Sequence, residues 1–352
     1  MKTFDEFLHD AVNIGASDIH LTASAMPSCR KDGEITELFN EVLTPSDLAD
    51  MLDKLLNDTQ KHTFKEIGEV DLAYSIPALG RFRINAFHQR GAAAIVARAL
   101  NPKIPSPQEL GIPEAIIKMT EKRRGLVLVT GATGSGKSTT LASLINIINS
   151  TYHHHIITLE DPIEYVHQHK KSLVNQREIG DDTKNYANAL RAALRQDPDV
   201  ILVGEMRDLE TISTAVTAAE TGHLVFSTLH TIGAANTIDR IIDVFPPHQQ
   251  PQIRTQLADV LECVVSQQLM VKKSGKGRVA ALEVMIANNA IKNYIREGKT
   301  FQITSTIQTN RKVGMITMDD ALYELYESGQ ISADTAVGYA QDRVTLSRKV
   351  MV

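Results

Sequence analysis

The spacing of apolar residues differs between the first hundred residues and the rest of the chain. Apolar positions within residues 4–12 recur three and four apart and predict an amphipathic helix. The segment "SDIHL", which begins at Ser17, alternates as a strand does. The segment "LTPSDLADMLDKLL" predicts a second helix, with Ser46 as its N-cap. We therefore expect a small α+β domain over residues 1–100.

Two features close this first region. The segments "DLAYSI" and "RFRINAF" both alternate and flank a short "PALG" turn, which predicts a β-hairpin. Residues 101–113 then contain four prolines. Because proline lacks a backbone N–H and restricts its own backbone angles, this stretch is interpreted as a linker without a helix or central strand.

Beyond the linker, short apolar runs alternate with longer helical patterns. The runs are "GLVLVTG", "HIITLE", "DVILVGE" and "GHLVFSTLH", and each is typical of a strand buried on both faces. Helical segments between most of them predict βαβ crossovers and a parallel sheet. Residues 114–352 are thus expected to form an α/β domain, with a hairpin at "QQLMVKKSGKGRVAALEVM" and helices towards the end.

Composition and charge narrow the class of protein. The 352 residues carry 37 Lys and Arg against 42 Asp and Glu, so no overall positive charge indicates nucleic acid or an anionic membrane. The pattern contains neither a signal peptide nor an apolar run of about 18 residues, which predicts a cytoplasmic chain that reaches a membrane only through a partner. Cys29 and Cys263 form no metal-binding spacing, so we expect neither zinc nor a disulfide.

The segment "GATGSGKST" carries the clearest chemistry. It fits the phosphate-binding loop G-x-x-x-x-G-K-[ST], between a predicted strand and a helix predicted to open at Ser138. Backbone N–H groups of such a loop wrap phosphates, Lys137 can reach the β and γ oxygens, and Ser138 can ligate Mg²⁺. The predicted ATP-binding residues are Gly131, Ala132, Thr133, Gly134, Ser135, Gly136, Lys137, Ser138 and Thr139.

The acids that would complete such a site are less obvious. The strand "VILV" should lead into an aspartate that holds Mg²⁺, yet Gly204 and Glu205 follow it. "EDPIEYVH" offers further acids at the end of another strand, where ligands of open α/β sheets bind: Glu160, Asp161 and Glu164. Solvated loop acids are the alternative reading for these side chains.

Three basic or polar residues are further candidates. His230 ends the strand of "FSTLHT" and could sense the γ-phosphate, although a structural hydrogen bond is the commoner role of such a histidine. Arg81 and Arg83 are two apart and share one face of their strand. They could be solvated edge residues, or they could supply positive charge to a phosphoryl-transfer site.

In their order, these motifs resemble the secretion ATPases of type IV pilus and type II secretion systems. The resemblance covers almost the whole chain, from "SDIHL" and "GRFRINAF" through the phosphate-binding loop to "EDPIEYVH", "ILVGEMRD" and "STLHT". It implies a PAS-like α+β domain before a RecA-like parallel-sheet ATPase domain. It also implies a homo-hexamer, with nucleotide held between the two domains.

The same resemblance implies a role for each candidate. Gly204 followed by Glu205 is the normal family arrangement, and Glu205 would help to hold Mg²⁺ through water. Glu164 would be the general base and His230 a sensor of nucleotide state. Arg81 and Arg83 would reach the phosphates from the N-terminal domain, and ATP with Mg²⁺ would be the cofactors.

Within the family, the chain is similar to the pilus-retraction branch. It lacks the longer N-terminal region and tetracysteine zinc site of extension ATPases, and "ANNAIKNYIREGK" is similar to a motif of retraction motors, with Lys292 and Tyr294 as departures. The motif implies that Ile291, Ile295 and Arg296 belong to a surface needed for retraction but not for hydrolysis. An inner-membrane pilus platform protein and other pilus ATPases are the implied partners.

Three alternative functions stay open from the sequence. An accessory retraction ATPase would share most of these motifs. A nucleotide-binding regulator without turnover is disfavoured because Glu164 and Glu205 are both present. A nucleic-acid motor is disfavoured because "KKSGKGR" is the main basic tract and predicts a solvated hairpin turn, so no nucleic-acid partner is expected.

Overall fold

The computed structural model of the chain describes residues 2–31, 33–77, 79–100 and 103–350. The chain divides into two compact units, one of Met1–Lys103 with Pro162–Tyr165 and one of Ile104–Asp161 with Val166–Val352. The strands are β1 (Asp18–Thr22), β2 (Ser28–Lys31), β3 (Glu34–Glu37), β4 (Glu69–Ile76), β5 (Gly80–Gln89), β6 (Ala92–Leu100), β7 (Gly125–Thr130), β8 (His155–Glu160), β9 (Leu173–Glu178), β10 (Val200–Val203), β11 (Leu224–Leu229), β12 (Leu261–Val271) and β13 (Arg278–Ile286).

The α-helices are α1 (Phe4–Asn13), α2 (Pro45–Leu55), α3 (Asp58–Ile67), α4 (Pro107–Leu110), α5 (Glu114–Ile117), α6 (Lys137–Thr151), α7 (Tyr186–Ala193), α8 (Leu209–Glu220), α9 (Ala234–Asp243), α10 (Gln250–Val260), α11 (Asn289–Glu297), α12 (Ile303–Thr309), α13 (Met318–Glu327), α14 (Ala333–Tyr339) and α15 (Arg343–Val350). Short 3₁₀ turns cover Lys118–Glu121, Thr300–Gln302 and Arg311–Val313. In the described part of the chain, no helix combines the length and apolarity that crossing a membrane requires.

The first unit is an antiparallel sheet with helices packed on its apolar face. Its strands run in the order β3-β2-β1-β6-β5-β4. The predicted first helix, first strand and β4–β5 hairpin are confirmed, although Ala78 of the predicted turn lies outside the described residues. The prediction of Ser46 as N-cap was wrong: Thr44 caps α2 by accepting from the Asp47 N–H, and Pro45 takes the first helical position, where its missing N–H costs nothing.

The second unit is built on a sheet in the order β13-β12-β7-β11-β10-β8-β9. All neighbouring strands are parallel except β12 and β13, which form the predicted hairpin. The four predicted apolar strands are β7, β8, β10 and β11, and apolar clusters on both faces bury them. The parallel α/β sheet is therefore confirmed, whereas β9 and the pairing of β12 with β7 were not predicted.

The proline-rich stretch is partly helical, contrary to the prediction. Residues 101 and 102 lie outside the described residues, but α4 forms at Pro107–Leu110. Ser106 caps this helix by accepting from the Glu109 N–H, and Pro107 stands at its start. Proline is tolerated in the first turn of a helix because an N–H there has no intrahelical acceptor. A high proline content therefore did not exclude a helix here.

Candidate nucleotide-binding site

The phosphate-binding loop joins the end of β7 to the start of α6, as predicted. Two of its glycines are required by close neighbours from β12. Gly131 has φ +143°, and a Cβ there would lie 2.2 Å from the Gln267 carbonyl oxygen. Gly136 has φ +90°, and a Cβ there would lie 2.8 Å from Gln267 Nε2. A side chain at either position would adopt a strained φ; at Gly131 it would also collide with the β12 backbone, and at Gly136 it would displace the Gln267 side chain.

The first turn of α6 carries the lysine and hydroxyls of the motif. Lys137 is buried, and its Nζ donates to the carbonyl oxygens of Gly131 (2.9 Å) and Ala132 (3.1 Å). Ser138 and Thr139 are half-buried beside it. Among the described residues, no side chain caps the N-terminus of α6. Helix N–H groups together with a buried ammonium form a binding site for phosphate.

The structure explains the glycine that stands in place of the expected aspartate. Gly204 follows β10, and its N–H donates to the Leu159 carbonyl at 2.7 Å. A Cβ at this position would lie 2.8 Å from the Tyr186 hydroxyl and 3.0 Å from the Leu159 carbonyl oxygen. No side chain fits there, so the nearest carboxylate on this strand is that of Glu205.

Glu205 connects three motifs that are far apart in sequence. Its Oε1 lies 3.1 Å from His230 Nε2 and 2.7 Å from Arg207 Nε. On the other side of the imidazole ring, His230 Nδ1 lies 3.4 Å from the Thr133 hydroxyl in the phosphate-binding loop. Because an ionised carboxylate only accepts hydrogen bonds, Nε2 must donate to it, and Nδ1 of a neutral ring then accepts from Thr133.

The charges and hydrogen bonds around Glu205 favour the ionised form of its carboxyl group. Burial would raise the pKa of the carboxyl group, but the hydrogen bond from Arg207 and the electrostatic interaction with the nearby His230 outweigh it and lower the pKa. Tyr186 beside it responds in the opposite direction: burial, followed by the charges of Asp161, Glu205 and Glu160, raises the pKa of its hydroxyl. Neither Tyr186 nor Arg207 was singled out from the sequence.

The other acids of the second unit differ in their surroundings. Glu160 Oε1 accepts from the Thr158 hydroxyl at 2.6 Å and from Gln176 Nε2 at 3.1 Å, so this oxygen has local structural partners. Asp161 is exposed. Glu160 is thus a half-buried strand residue and not the solvated loop acid of the alternative reading, whereas the exposure of Asp161 is compatible with that reading.

Three predicted site residues belong to the first unit. Glu164 is exposed and lies in the segment Pro162–Tyr165. Arg81 and Arg83 share the polar face of β5, with Phe82 buried on the opposite face. Arg83 Nε lies 3.9 Å from Asp71 Oδ1. The structure thus brings together the phosphate-binding loop, Glu205 and His230, while the proposed approach of Glu164 and the two arginines to the phosphates stays a prediction.

A cavity of about 390 Å³ adjoins the loop on the side of β12. Gly136, Thr139 and Thr140 line it together with Gln267 and the segment that contains α4. Sequence reasoning missed Gln267. Its hydrogen bonds with Thr140 and Ser135 span 127 and 132 residues of chain, and no local pattern links such distant segments.

The prediction of a functional surface on α11 was wrong for two of its three residues. Ile291 and Ile295 are fully buried in the main apolar cluster of the second unit. Arg296 is partly exposed and pairs with Asp259, with Nη2 2.5 Å from Oδ1. The apolar stripe of this amphipathic helix faces the protein interior, and its polar face alone is available to solvent.

Known proteins resemble the chain over nearly its whole length. It is 50% identical over 331 residues to the type IV pilus retraction ATPase PilT of Pseudomonas aeruginosa, which covers 94% of this chain and 96% of that protein. It is 40% identical over 337 residues to the type IV pilus ATPase PilU of the same organism, which covers 96% of this chain and 88% of PilU. Because both alignments cover most of this chain and most of each relative, neither leaves a large region unmatched.

A solved structure and a family description agree with these relatives. The crystal structure of the pilus retraction motor PilT with bound ADP superimposes with a TM-score of 0.93 at 48% identity, covering 99% of this chain and 100% of that one. This match confirms the fold class of a RecA-like secretion ATPase with a smaller N-terminal domain. Residues 1–336 match the family described as Type II/IV secretion system protein. The chain belongs to that family.

Proposed function

We propose that this protein is a Mg²⁺-dependent ATPase motor that retracts type IV pili, disassembling the pilin filament and so powering twitching motility. The observation that carries the proposal is the line of polar contacts from Thr133 through His230 to Glu205. This line joins the phosphate-binding loop to the acid that follows β10. A contact of this kind changes when a γ-phosphate is bound or lost, as a motor requires.

In this proposal, the phosphate-binding loop, the adjoining cavity and the acid after β10 hold different parts of the nucleotide and its metal ion. The loop N–H groups and Lys137 bind the phosphates, and the cavity of about 390 Å³ beside Thr139 and Thr140 accepts the nucleoside. The donor set fits a magnesium ion, since the Ser138 hydroxyl would hold it directly and the charged Glu205 would hold it through water. When bound, Mg²⁺ neutralises charge on the phosphates.

Hydrolysis also needs a base and additional positive charge. We assign water activation to Glu164, whose exposed carboxylate lies in the segment "EDPIEYVH" at the end of β8. Arg81 and Arg83 supply positive charge from the N-terminal unit. In the proposed homo-hexamer, hydrolysis transmits force to an inner-membrane pilus platform protein. The ring works at the cytoplasmic face of that membrane and reaches it only through partners.

Glu164→Gln tests the chemistry of the site. Replacing the carboxylate removes water activation and leaves the phosphate contacts in place, so kcat should fall by about a hundredfold or more while ATP affinity stays nearly unchanged. Phosphate release and nucleotide binding should be measured on the same purified protein. Turnover equal to that of the unaltered protein would instead assign the base to Glu160 or Glu205.

Pilus behaviour in cells tests the biological direction of the motor. A strain that lacks this chain should carry many pili that extend and do not retract, which fluorescence microscopy of labelled pili measures directly. A strain without any pili would favour an extension motor and contradict the proposal.

The 40% identity to PilU supports an accessory retraction ATPase as a second candidate. The two candidates differ in what the chain does without a second retraction ATPase. A principal motor should retract pili as the sole such ATPase in the cell, whereas an accessory one should not. Retraction in a strain that encodes this chain alone therefore separates them.

A further inference from the structure

Gln267 lies on β12, directly beside the strand that leads into the phosphate-binding loop. β12 pairs in parallel with β7, and the preceding Ser266 is in register with Thr130 at the end of β7. The Gln267 side chain is 4% exposed. A buried amide must have hydrogen-bonding partners, because leaving it without them costs free energy.

Both ends of the Gln267 amide bind the loop region. Its Nε2 donates to the Ser135 carbonyl at 2.7 Å, and its Oε1 accepts from the Thr140 hydroxyl at 2.8 Å. Ser135 belongs to the loop and Thr140 to the first turn of α6. One side chain therefore fixes the distance between the loop and the helix that follows it.

The contact with Ser135 also orients a phosphate-binding group. In a trans peptide unit, the C=O and the following N–H point in opposite directions. Since Gln267 holds the Ser135 C=O towards β12, the Gly136 N–H points to the side of the loop away from β12. The Gln267 main chain restricts the other end of the loop, where its carbonyl leaves no room for a Cβ on Gly131.

We propose that Gln267 is a positioning residue that holds the phosphate-binding loop in its nucleotide-binding conformation. This inference rests on the proposed ATP-binding function and adds to it a residue outside the recognised motifs. The role depends on geometry, because the two polar ends of the Gln267 amide bind Ser135 and Thr140. The main-chain carbonyl and Nε2 of Gln267 also lie where a Cβ on Gly131 or Gly136, respectively, would be.

Gln267→Glu is the direct test. The variant keeps the size of the side chain and the acceptor for Thr140, but it cannot donate to Ser135 and places a carboxylate against that carbonyl. The Kd for ATP should rise about ten- to a hundredfold, as expected for one lost buried hydrogen bond with added repulsion. The kcat at saturating ATP should change by less than about threefold.

Gln268→Ala is the matched control on the same strand. Its amide donates to the Tyr339 carbonyl at 3.2 Å, outside the loop, so ATP affinity should stay within about twofold of the unaltered protein. Thr140→Val removes only the hydroxyl that Gln267 accepts from and should weaken ATP binding less than Gln267→Glu. If Gln267→Glu does not fold, Gln267→Met, which keeps the volume without either hydrogen bond, takes its place.

Binding of a fluorescent ATP analogue to the full-length protein decides the outcome. Weaker binding by a Gln267 variant that keeps its circular dichroism spectrum and melting temperature supports the proposal. Unchanged affinity in that variant, or equal loss in Gln268→Ala, overturns it. If the unaltered protein itself binds no ATP, the proposed function fails first, and this inference fails with it.

Discussion

The two edges of the parallel sheet in the second unit both carry charged residues and both adjoin a cavity. At the carboxyl edge, Glu205 and His230 lie near the phosphate-binding loop, and the adjoining cavity has a volume of about 390 Å³. At the amino edge, a cavity of about 480 Å³ is lined by Arg124, Glu220, Asp259, Glu262 and Lys292. Volume and charge alone do not separate the two.

The difference lies in how the charges are arranged. At the amino edge, Glu262 pairs through Oε2 with Lys122 at 2.8 Å and through Oε1 with Lys292 at 3.9 Å, one cation to each oxygen. At the carboxyl edge, Arg207 and His230 both contact the same oxygen of Glu205. The glycine-rich loop there leads directly into the N-terminus of α6, where backbone N–H groups lack intrahelical acceptors. The backbone N–H groups at a helix N-terminus therefore support the proposed nucleotide site at this edge, because they can bind an anion without a flexible side chain.

The largest expected contrast between the edges comes from their lysines. Lys137→Ala removes a buried ammonium at the carboxyl edge and should raise the Kd for ATP about a hundredfold or more, since charge-assisted contacts to phosphate are lost. Lys292→Ala at the amino edge should leave the Kd for ATP unchanged. Titration with a fluorescent nucleotide measures both, and comparable losses would mean that the edges do not differ as described.

The second-largest contrast is expected between the acids of the two edges, Glu205 and Glu262, in their effect on kcat. Glu205→Gln keeps the size of the side chain but removes the charge that would help to hold Mg²⁺, so kcat should fall about a hundredfold with little effect on ATP affinity. Glu262→Gln is its counterpart at the amino edge and should change kcat by less than about twofold. Steady-state phosphate release measures both values. A Glu205→Gln protein with normal kcat would remove Glu205 from the catalytic site.

A smaller effect should appear in the pH dependence of stability. The pKa of Glu205 is below its ordinary value of 4.5, so its ion pair stabilises the fold above that pH and the contribution is lost as the pH falls through the lowered pKa. Arg207→Ala should therefore lower the melting temperature by a constant amount above about pH 4.5 and by progressively less as the pH falls below that value. A difference from the unaltered protein that grows on acidification would contradict this assignment.

The smallest effect is expected at the exposed pair of the amino edge. Arg296→Ala removes the contact with Asp259, and partly exposed ion pairs contribute only about 0.2–1 kcal/mol to the free energy of unfolding. ATP turnover should be unchanged, because Arg296 lies at the edge of the sheet opposite the loop. Denaturant unfolding and phosphate release measure the two quantities, and a large loss of turnover would connect α11 to hydrolysis.

Local patterns predicted the elements that local interactions determine. Four buried strands, the phosphate-binding loop and two hairpins follow from runs of apolar residues, glycine spacing and alternation. Where the pattern was ambiguous, the predictions failed: Pro107 starts α4 instead of preventing a helix, and Ile291 and Ile295 are buried instead of forming a surface. In both cases the residue type is compatible with two environments, and packing with distant segments selects one.

The sequence by itself determined the family, the phosphate-binding loop and the presence of Glu205 after a glycine, because each depends on residue identity at fixed spacing. Tertiary structure alone decided why that glycine is needed, since the Tyr186 hydroxyl and the Leu159 carbonyl that exclude a side chain at Gly204 come from separate segments. It also placed Gln267 against Ser135, across 132 residues of chain. Contacts between distant segments arise only when the sheet assembles and brings its strands side by side, so no local pattern could have contained them.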